Sequence, residues 1–282
     1  SDEDLDPSST YEDARVGDPQ IGTVHPLTGP VHIEGAEPGD VLAVTLLDIA
    51  PGPFGYTSVS PIGFVSDHVT GSFRALWRLT RTAAVSDDVP GVRIPSANFP
   101  GIVTVLPGPA QLEAMLSREA ELVALGGAGF PPHPLHASPA EICGPTGSHA
   151  DECLRTLPPR EHGGNLDIRY LQVGVTLYLP CYIDGCGLAI GDPHFAQGDG
   201  EVCLQAVEMD ATATVRFRVL KGEAERHRMR GPHLSHTEFF SDPRFGMPRR
   251  FTATMGLPIR EDGSNASEDL NVACRNALLE MI

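Results

Sequence analysis

Several things are scarce in this chain, and each shortage closes a class of function. One Trp and five Tyr in 282 residues leave little for nucleobases to stack on, which argues against a single-stranded nucleic-acid platform. Lys and Arg number 20 against 37 Asp and Glu, for a net charge of −17, and such a surface repels a phosphate backbone. The basic positions Arg226, His227, Arg228, Arg230, Arg249 and Arg250 are too sparse to outweigh the acids. No apolar run approaches the roughly 20 residues of a membrane span. Walker A, GxGxxG and GxSxG sequences are all missing, so nothing marks a phosphate cradle or a serine elbow. No CxxC pair occurs, and six cysteines (143, 153, 181, 186, 203 and 274) are too few in this length for a disulfide framework. Cys181 and Cys186 are expected as buried thiols. The opening SDEDLDPSSTYEDARVGDP is acidic and polar, unlike a signal or transit peptide, and a reducing cytoplasm is the expected location. The ends look cut: Ser1 stands where a start methionine would, and Ile282 falls within a helical pattern.

What is present is turn chemistry around short apolar segments. Gly 30 and Pro 26 are spread without a period, and 41% of the residues are hydrophobic, enough for a core with many turns between strands. Strands are expected at 21–35 as a hairpin, 41–51, 73–81, 91–95, 99–108, 166–171, 174–183, 202–209, 211–221 after a turn at Asp210, and 249–259, with Gly/Pro loops at 51–64 and 128–164. Residues 108–127 read as a helix, with Pro109 near its start, Leu112, Met115, Leu116 and Leu122 on one face, and Gly126-Gly127 as its stop. A terminal helix follows, with Ser267 as its cap. The expected fold is mainly β: a sandwich or barrel-like core with a smaller α/β part and a C-terminal helix. Three parts are expected: 1–107 (β), 108–163 (helix plus long loop) and 164–282 (β with the terminal helix).

The most informative stretch is AIGDPHFAQGDGEVC, residues 189–203. It holds Asp192, His194, Gln197, Asp199 and Glu201 with Gly191, Gly198 and Gly200 between them. Asp192 and His194 lie two apart and share a strand face. One imidazole with two or three carboxylates suits a mixed N/O site for a divalent ion. The bland alternative is a hairpin of polar turn residues; five functional groups separated by small residues and one Phe weigh against it. A second stretch, LPPREHGGNLDIRYL (157–171), offers Arg160 as a bidentate anchor for a carboxylate, Gly164 for close backbone approach, and Asn165 and Asp167; an exposed triplet beside a Gly-Gly turn reads equally well there. A third, TVHPLTGPVHIEGAEPGD (23–40), carries His25, His32 and Glu34, of which Glu34 before Gly35 is the better candidate. His233 and His236 read as loop residues.

These stretches together resemble the acetamidase/formamidase family. The resemblance is carried by TGPVHIEGAEPGD (28–40), FPGIVTVLPG (99–108), PPREHGGNLDI (158–168), TLYLPCYIDGCGLAIGDPHFAQGDGEVCLQAVEM (176–209) and ACRNAL (273–278), in order over nearly the whole chain. It implies a mainly β hydrolase of short linear amides, formamide or acetamide, giving carboxylate and ammonia. It also implies a divalent metal, zinc, and assembly as a homodimer or higher. On this reading Asp192, His194 and Glu201 hold the metal, Glu34 is the base, Asn165 donates to the oxyanion, and Asp167 and Asp199 orient their neighbours. Arg160, Gly164, Gln197 and His32 support the substrate; His32 departs from the family's usual aliphatic or aromatic residue. The expected partner is a small amide, with no nucleic acid and no membrane. Two other readings are a family member without activity that binds a small ligand or metal, and a metal-independent amidase using a carboxylate or Cys203.

Overall fold

The computed structural model describes residues 25–59, 61, 66–125, 139–202, 204–236, 254, 256–257, 259–264 and 269–281. They fall into two compact units. The first takes the described residues of Ser1–Thr57, Arg74–Glu201 and Gln205–Thr237, and the second those of Ser58–Phe73, Val202–Leu204 and Glu238–Ile282.

Among the described residues the first unit is built on one large antiparallel sheet. Its strands are β1 (Leu27–Val31), β2 (Val41–Val59), β3 (Phe73–Leu79), β4 (Ala83–Val85), β5 (Arg93–Pro95), β6 (Phe99–Thr104), β7 (Pro159–Arg160), β8 (Gly163–Asn165), β9 (Thr176–Pro180), β10 (Leu188–His194), β11 (Glu208–Leu220) and β12 (His233–Ser235). The main path runs β5-β4-β3-β2-β11-β10-β6-β8-β7; β1 adds to β10, and β9 joins β2 to β12. The fold is mainly β, as the turn-rich composition implies. β2 supplies much of the core, because Leu42, Val44, Leu46 and Ile49 are all buried. Phe99 and Phe195, both fully buried, close the core next to β10. Burying each aromatic ring stabilises the fold by roughly 1.5–3 kcal/mol.

Three expectations change here. β2 does not stop at Pro51 but continues to Val59. Its pairing with β11 shifts between Ala211↔Pro51 and Met209↔Gly55, and such an irregularity accommodates proline without a lost ladder bond. Residues 166–171 form no strand, with a turn only at 169–170, because Asp167 takes a left-handed conformation (φ 45) and the amides of Leu166 and Asp167 both turn to the Gly101 carbonyl. The two strands expected on either side of a turn at Asp210 are one, running through Asp210 and beginning only at Glu208; Leu204 is left-handed (φ 65), which a strand does not permit. The expected helix is present as α1, Pro109–Ala124, with Met115 buried and Leu122 exposed; Gly126 and Gly127, expected to stop it, lie outside the described residues.

Two polar ties hold the sheet's periphery. Buried Asp40 accepts hydrogen bonds from Lys221 Nζ at 2.7 Å, the Gly222 amide at 2.8 Å and the Glu37 amide at 2.9 Å, which locks the start of β2 to the end of β11. Arg160 donates to both carboxylate oxygens of Glu119 in α1, at 2.7 and 2.9 Å, and to the Arg155 carbonyl at 2.6 Å. The cysteines also correct an expectation: Cys143 is joined to Cys153, and Cys181 to Cys186. Cys181 and Cys186 flank a turn that brings their Cα atoms to 4.9 Å, within disulfide reach. The sequence shows a turn between them but not that it closes to bonding distance. Exposed Cys274 is free, and Cys203 lies outside the described residues.

In the second unit α2 (Leu270–Leu279) is capped by Asp269, whose side chain accepts from the Val272 amide at 3.1 Å. Ser267, expected in that role, lies outside the described residues, as do residues 21–24 of the expected hairpin and most of the expected strand 249–259. Asn276 donates to the carbonyls of Leu257 and Ile259, each at 2.7 Å. Arg275 pairs with Asp67. No described helix is long and apolar enough to cross a membrane.

Candidate metal centre

The site forms where β10, β6 and β8 lie side by side. In the β10–β6 ladder Gly191 faces Ile102, Pro193 faces Pro100 and His194 faces Phe99, so Asp192 comes opposite Gly101. Asp192 is left-handed (φ 52); aspartate visits that region more readily than most residues. His194 is fully buried, its ring edge-on to Phe99 with centroids 5.0 Å apart. On the other side of β10, His194 pairs directly with Glu208 of β11. Cross-strand partners share a face, and the Glu208 carboxylate reaches to 3.1 Å from His194 Nε2. The same nitrogen lies 3.4 Å from Asp192 and 3.6 Å from Glu201. Asp167 enters from the end of β8, its carbonyl holding the Gln197 amide at 2.9 Å.

Two groups of three share the imidazole: Asp167, His194 and Glu201, and Asp192, His194 and Glu208. In each, one potential ligand atom per residue lies within 4.8 Å of the others. Every member of the second group is buried. Four carboxylates therefore surround one buried imidazole. The electrostatics follow. Burial, then the Asp192 carboxylate, pushes Asp167 up to about 7. Burial, then Glu208, pushes Glu201 up to about 8. For His194 burial acts downward, but Glu208 and Asp192 outweigh it and hold the imidazole well above its ordinary value. No lysine or arginine is among the charges acting on Asp167 and Glu201. Asp167 Oδ1 and Glu201 Oε1 are buried without a hydrogen-bond partner. Buried acceptors without donors are costly, and a divalent cation is what this set of one nitrogen and several carboxylate oxygens fits. His25 flanks the cluster. Its Nε2 is 3.8 Å from Asp192, Thr156 Oγ1 is 3.3 Å from its Nδ1, and burial lowers its pKa.

The residues singled out in the sequence divide. Asp167, Asp192, His194 and Glu201 come together. Gln197 touches Asp167, and Asn165 sits next along β8, opposite Ile102, with Oδ1 buried and without a partner. Gly164, at φ 97, pairs with Val103 in the same ladder. Asp199 is exposed and pairs with Arg169 at 2.8 Å. Glu34 is exposed in a turn and belongs to neither group. His32 is exposed and packs over Gly185. The Arg160 guanidinium is occupied by Glu119. Sequence reading missed Glu208. The signal available was a lone acid in the apolar run AVEM, which also fits a strand with one wet face.

An antiparallel sheet that brings four carboxylates around one buried imidazole carries groups that could hold a metal ion. The comparisons with known proteins give the family. The acetamidase/formamidase family model matches residues 2–282. The formamidase of Methylophilus methylotrophus is 31% identical over 281 residues, covering 95% of this chain and 68% of that protein. The acetamidase of Mycolicibacterium smegmatis is 32% identical over 289 residues, covering 95% of this chain and 70% of that one. Among solved structures, the gamma lactamase from Delftia acidovorans superposes with a TM-score of 0.83 at 32% identity, over 98% of this chain and 70% of that one. The chain belongs to the acetamidase/formamidase family.

Proposed function

We propose that this centre hydrolyses short linear amides, of the formamide and acetamide type, to carboxylate and ammonia, with a divalent cation held by Asp192, His194 and Glu208. The reaction class comes with the family: the chain is a hydrolase acting on carbon–nitrogen bonds, other than peptide bonds, in linear amides. Its substrate is a small-molecule amide. The observation that carries the metal reading is the convergence of buried carboxylates on one imidazole, with acceptor atoms left without donors. Zinc suits the donor set.

An unactivated amide resists water because the nucleophile is weak and the leaving group is an amine. A bound divalent cation supplies electrophilic polarisation of the carbonyl and acidifies water. The chain's own residues supply the rest. Asp192 and Glu208, both buried, orient the His194 ring from its own strand and from the neighbouring one. Glu201 and Asp167 are only partly buried, so they meet substrate and solvent, and Glu201 takes the role of proton carrier from the water to the departing nitrogen. Asn165, two residues before Asp167, takes the role of donor to the carbonyl oxygen in the transition state. Gln197 holds the Asp167 backbone in its left-handed turn.

Elemental analysis with ammonia assays on variants tests the assignment. His194→Ala should lose both ion and turnover. Glu201→Gln should keep the ion and lose turnover; an E201Q protein that instead loses the ion would move Glu201 into the ligand set. The proposal also includes a cytoplasmic location and a homodimer or larger assembly. Recovery of the protein outside the cytoplasm on cell fractionation would contradict the first part, and light scattering at the mass of one chain the second.

A further inference from the structure

The sequence marks nothing at Gly101, within FPGIVTV, yet three strands meet around it. Asp192 stands opposite it on β10. On the other side, its carbonyl accepts from the amides of Leu166 at 2.8 Å and Asp167 at 3.3 Å. Both flanking aspartates are left-handed, at φ 52 and φ 45, and that conformation turns their carboxylates over the glycine. A methyl group at Gly101 would lie 2.5 Å from Asp192 Oδ2, 2.6 Å from Asp167 Oδ1 and 2.9 Å from His194 Cε1. No backbone atom is among these nearest contacts. Gly101 is also not in the left-handed region, so its own φ does not demand glycine. The space it leaves is used by the site alone.

We propose that Gly101 is a positioning residue for the metal centre: its bare Cα is the floor on which Asp167, Asp192 and His194 close, and any side chain there spreads the two carboxylates. The proposal rests on the cation reading above and reaches past it, since it assigns a determinant of ion affinity to a residue with no ligand atom. It also separates two requirements that coincide at most glycines, backbone freedom and room for others, because only the second applies here.

The test uses the full chain, stripped with chelator and titrated with Zn²⁺, following bound ion by elemental analysis and affinity by calorimetry. Gly101→Ala should keep the wild-type circular dichroism spectrum and lose at least about tenfold in Zn²⁺ affinity, the scale at which disturbed support of a ligand acts. Gly231→Ala, where a methyl meets nothing within 4 Å, should bind as wild type. A folded G101A that binds Zn²⁺ as tightly as wild type overturns the proposal. Wild type that binds no divalent ion instead sinks the cation reading on its own. If G101A does not fold, Asp192→Ala in the same chain removes the nearest clash. Recovery of folding in the double variant supports the proposal, and failure to recover contradicts it, because contacting positions couple and independent ones do not.

Discussion

Glu208 is where the two possible divisions of labour among the carboxylates part. It is buried, directly across the ladder from His194, and its other oxygen already accepts the Ala206 amide at 2.9 Å. Glu208→Gln keeps the shape and the amide contact but removes a charge, so ion affinity should fall by about 10–100-fold with the fold intact; metal titration of the variant checks this. Arg160 makes the opposite case. As an anchor for substrate its loss would change KM and leave stability alone. Its side chain is buried against Glu119, and removing one partner of a buried pair typically costs about 3–5 kcal/mol. Arg160→Met should therefore lower the urea midpoint sharply while the residual folded protein keeps its ion. An R160M protein of normal stability and raised KM would restore the anchor role. Asp192 and His194 were legible because they lie two apart, and Glu201 because it follows in the same glycine-rich polar stretch. Glu208 was not, since one acid in an alternating strand reads as solvent-facing.

At the scale of elements, β10 does most of the organising: it places Asp192 against β6, His194 against β11, and lets the chain return with Glu201. The sequence shows the Gly-rich polar stretch that begins in β10, read there as a hairpin, whereas the strand continues to His194. It does not show that β6 and β8 lie beside them, which is a matter of long-range pairing rather than of local pattern. The long β2 was misread for a related reason, since Pro51 and Pro53 end a strand in isolation but sit harmlessly at the register shift opposite β11. The tie at Asp40 tests how firmly β2 and β11 are held. Its three hydrogen bonds, one from Lys221, are worth roughly 1.5–3 kcal/mol where charge is involved. Asp40→Ala should lose on that order in denaturant unfolding without altering ion content. A loss of ion would mean that the tie also serves the site.

For the whole molecule, acid should act through buried groups away from the centre. His162 is 6% exposed; burial first, then the Arg160 charge, lowers its pKa to about 4 from 6.5. Between those values the unfolded chain binds a proton that the folded chain does not, so stability rises with pH across the window and is lost as pH falls from 6.5 to about 4. The full effect is on the order of 3 kcal/mol. Glu161, held at about 2 by Arg118, acts in the same direction at lower pH, its contribution going as pH falls from 4.5 towards 2. Unfolding curves for the chelated protein at several pH values should show the first slope flattened in His162→Gln; an unchanged slope would assign it elsewhere. Composition made the mainly β class legible, because scattered glycine and proline with apolar segments leave few alternatives. The cysteine pairs were not legible, since bonding depends on a turn that brings Cα atoms together and not on count.

The central claim is that amide hydrolysis here depends on a divalent ion held around His194. Ammonia release from formamide and acetamide, measured on protein of known metal content before chelation, after chelation and after Zn²⁺ is restored, tests it most directly. The account predicts about one or more ions per chain, loss of turnover on removal in step with loss of ion, recovery on return, and neither binding nor recovery in His194→Ala. Full turnover by fully stripped protein, or normal ion binding by H194A, would contradict it.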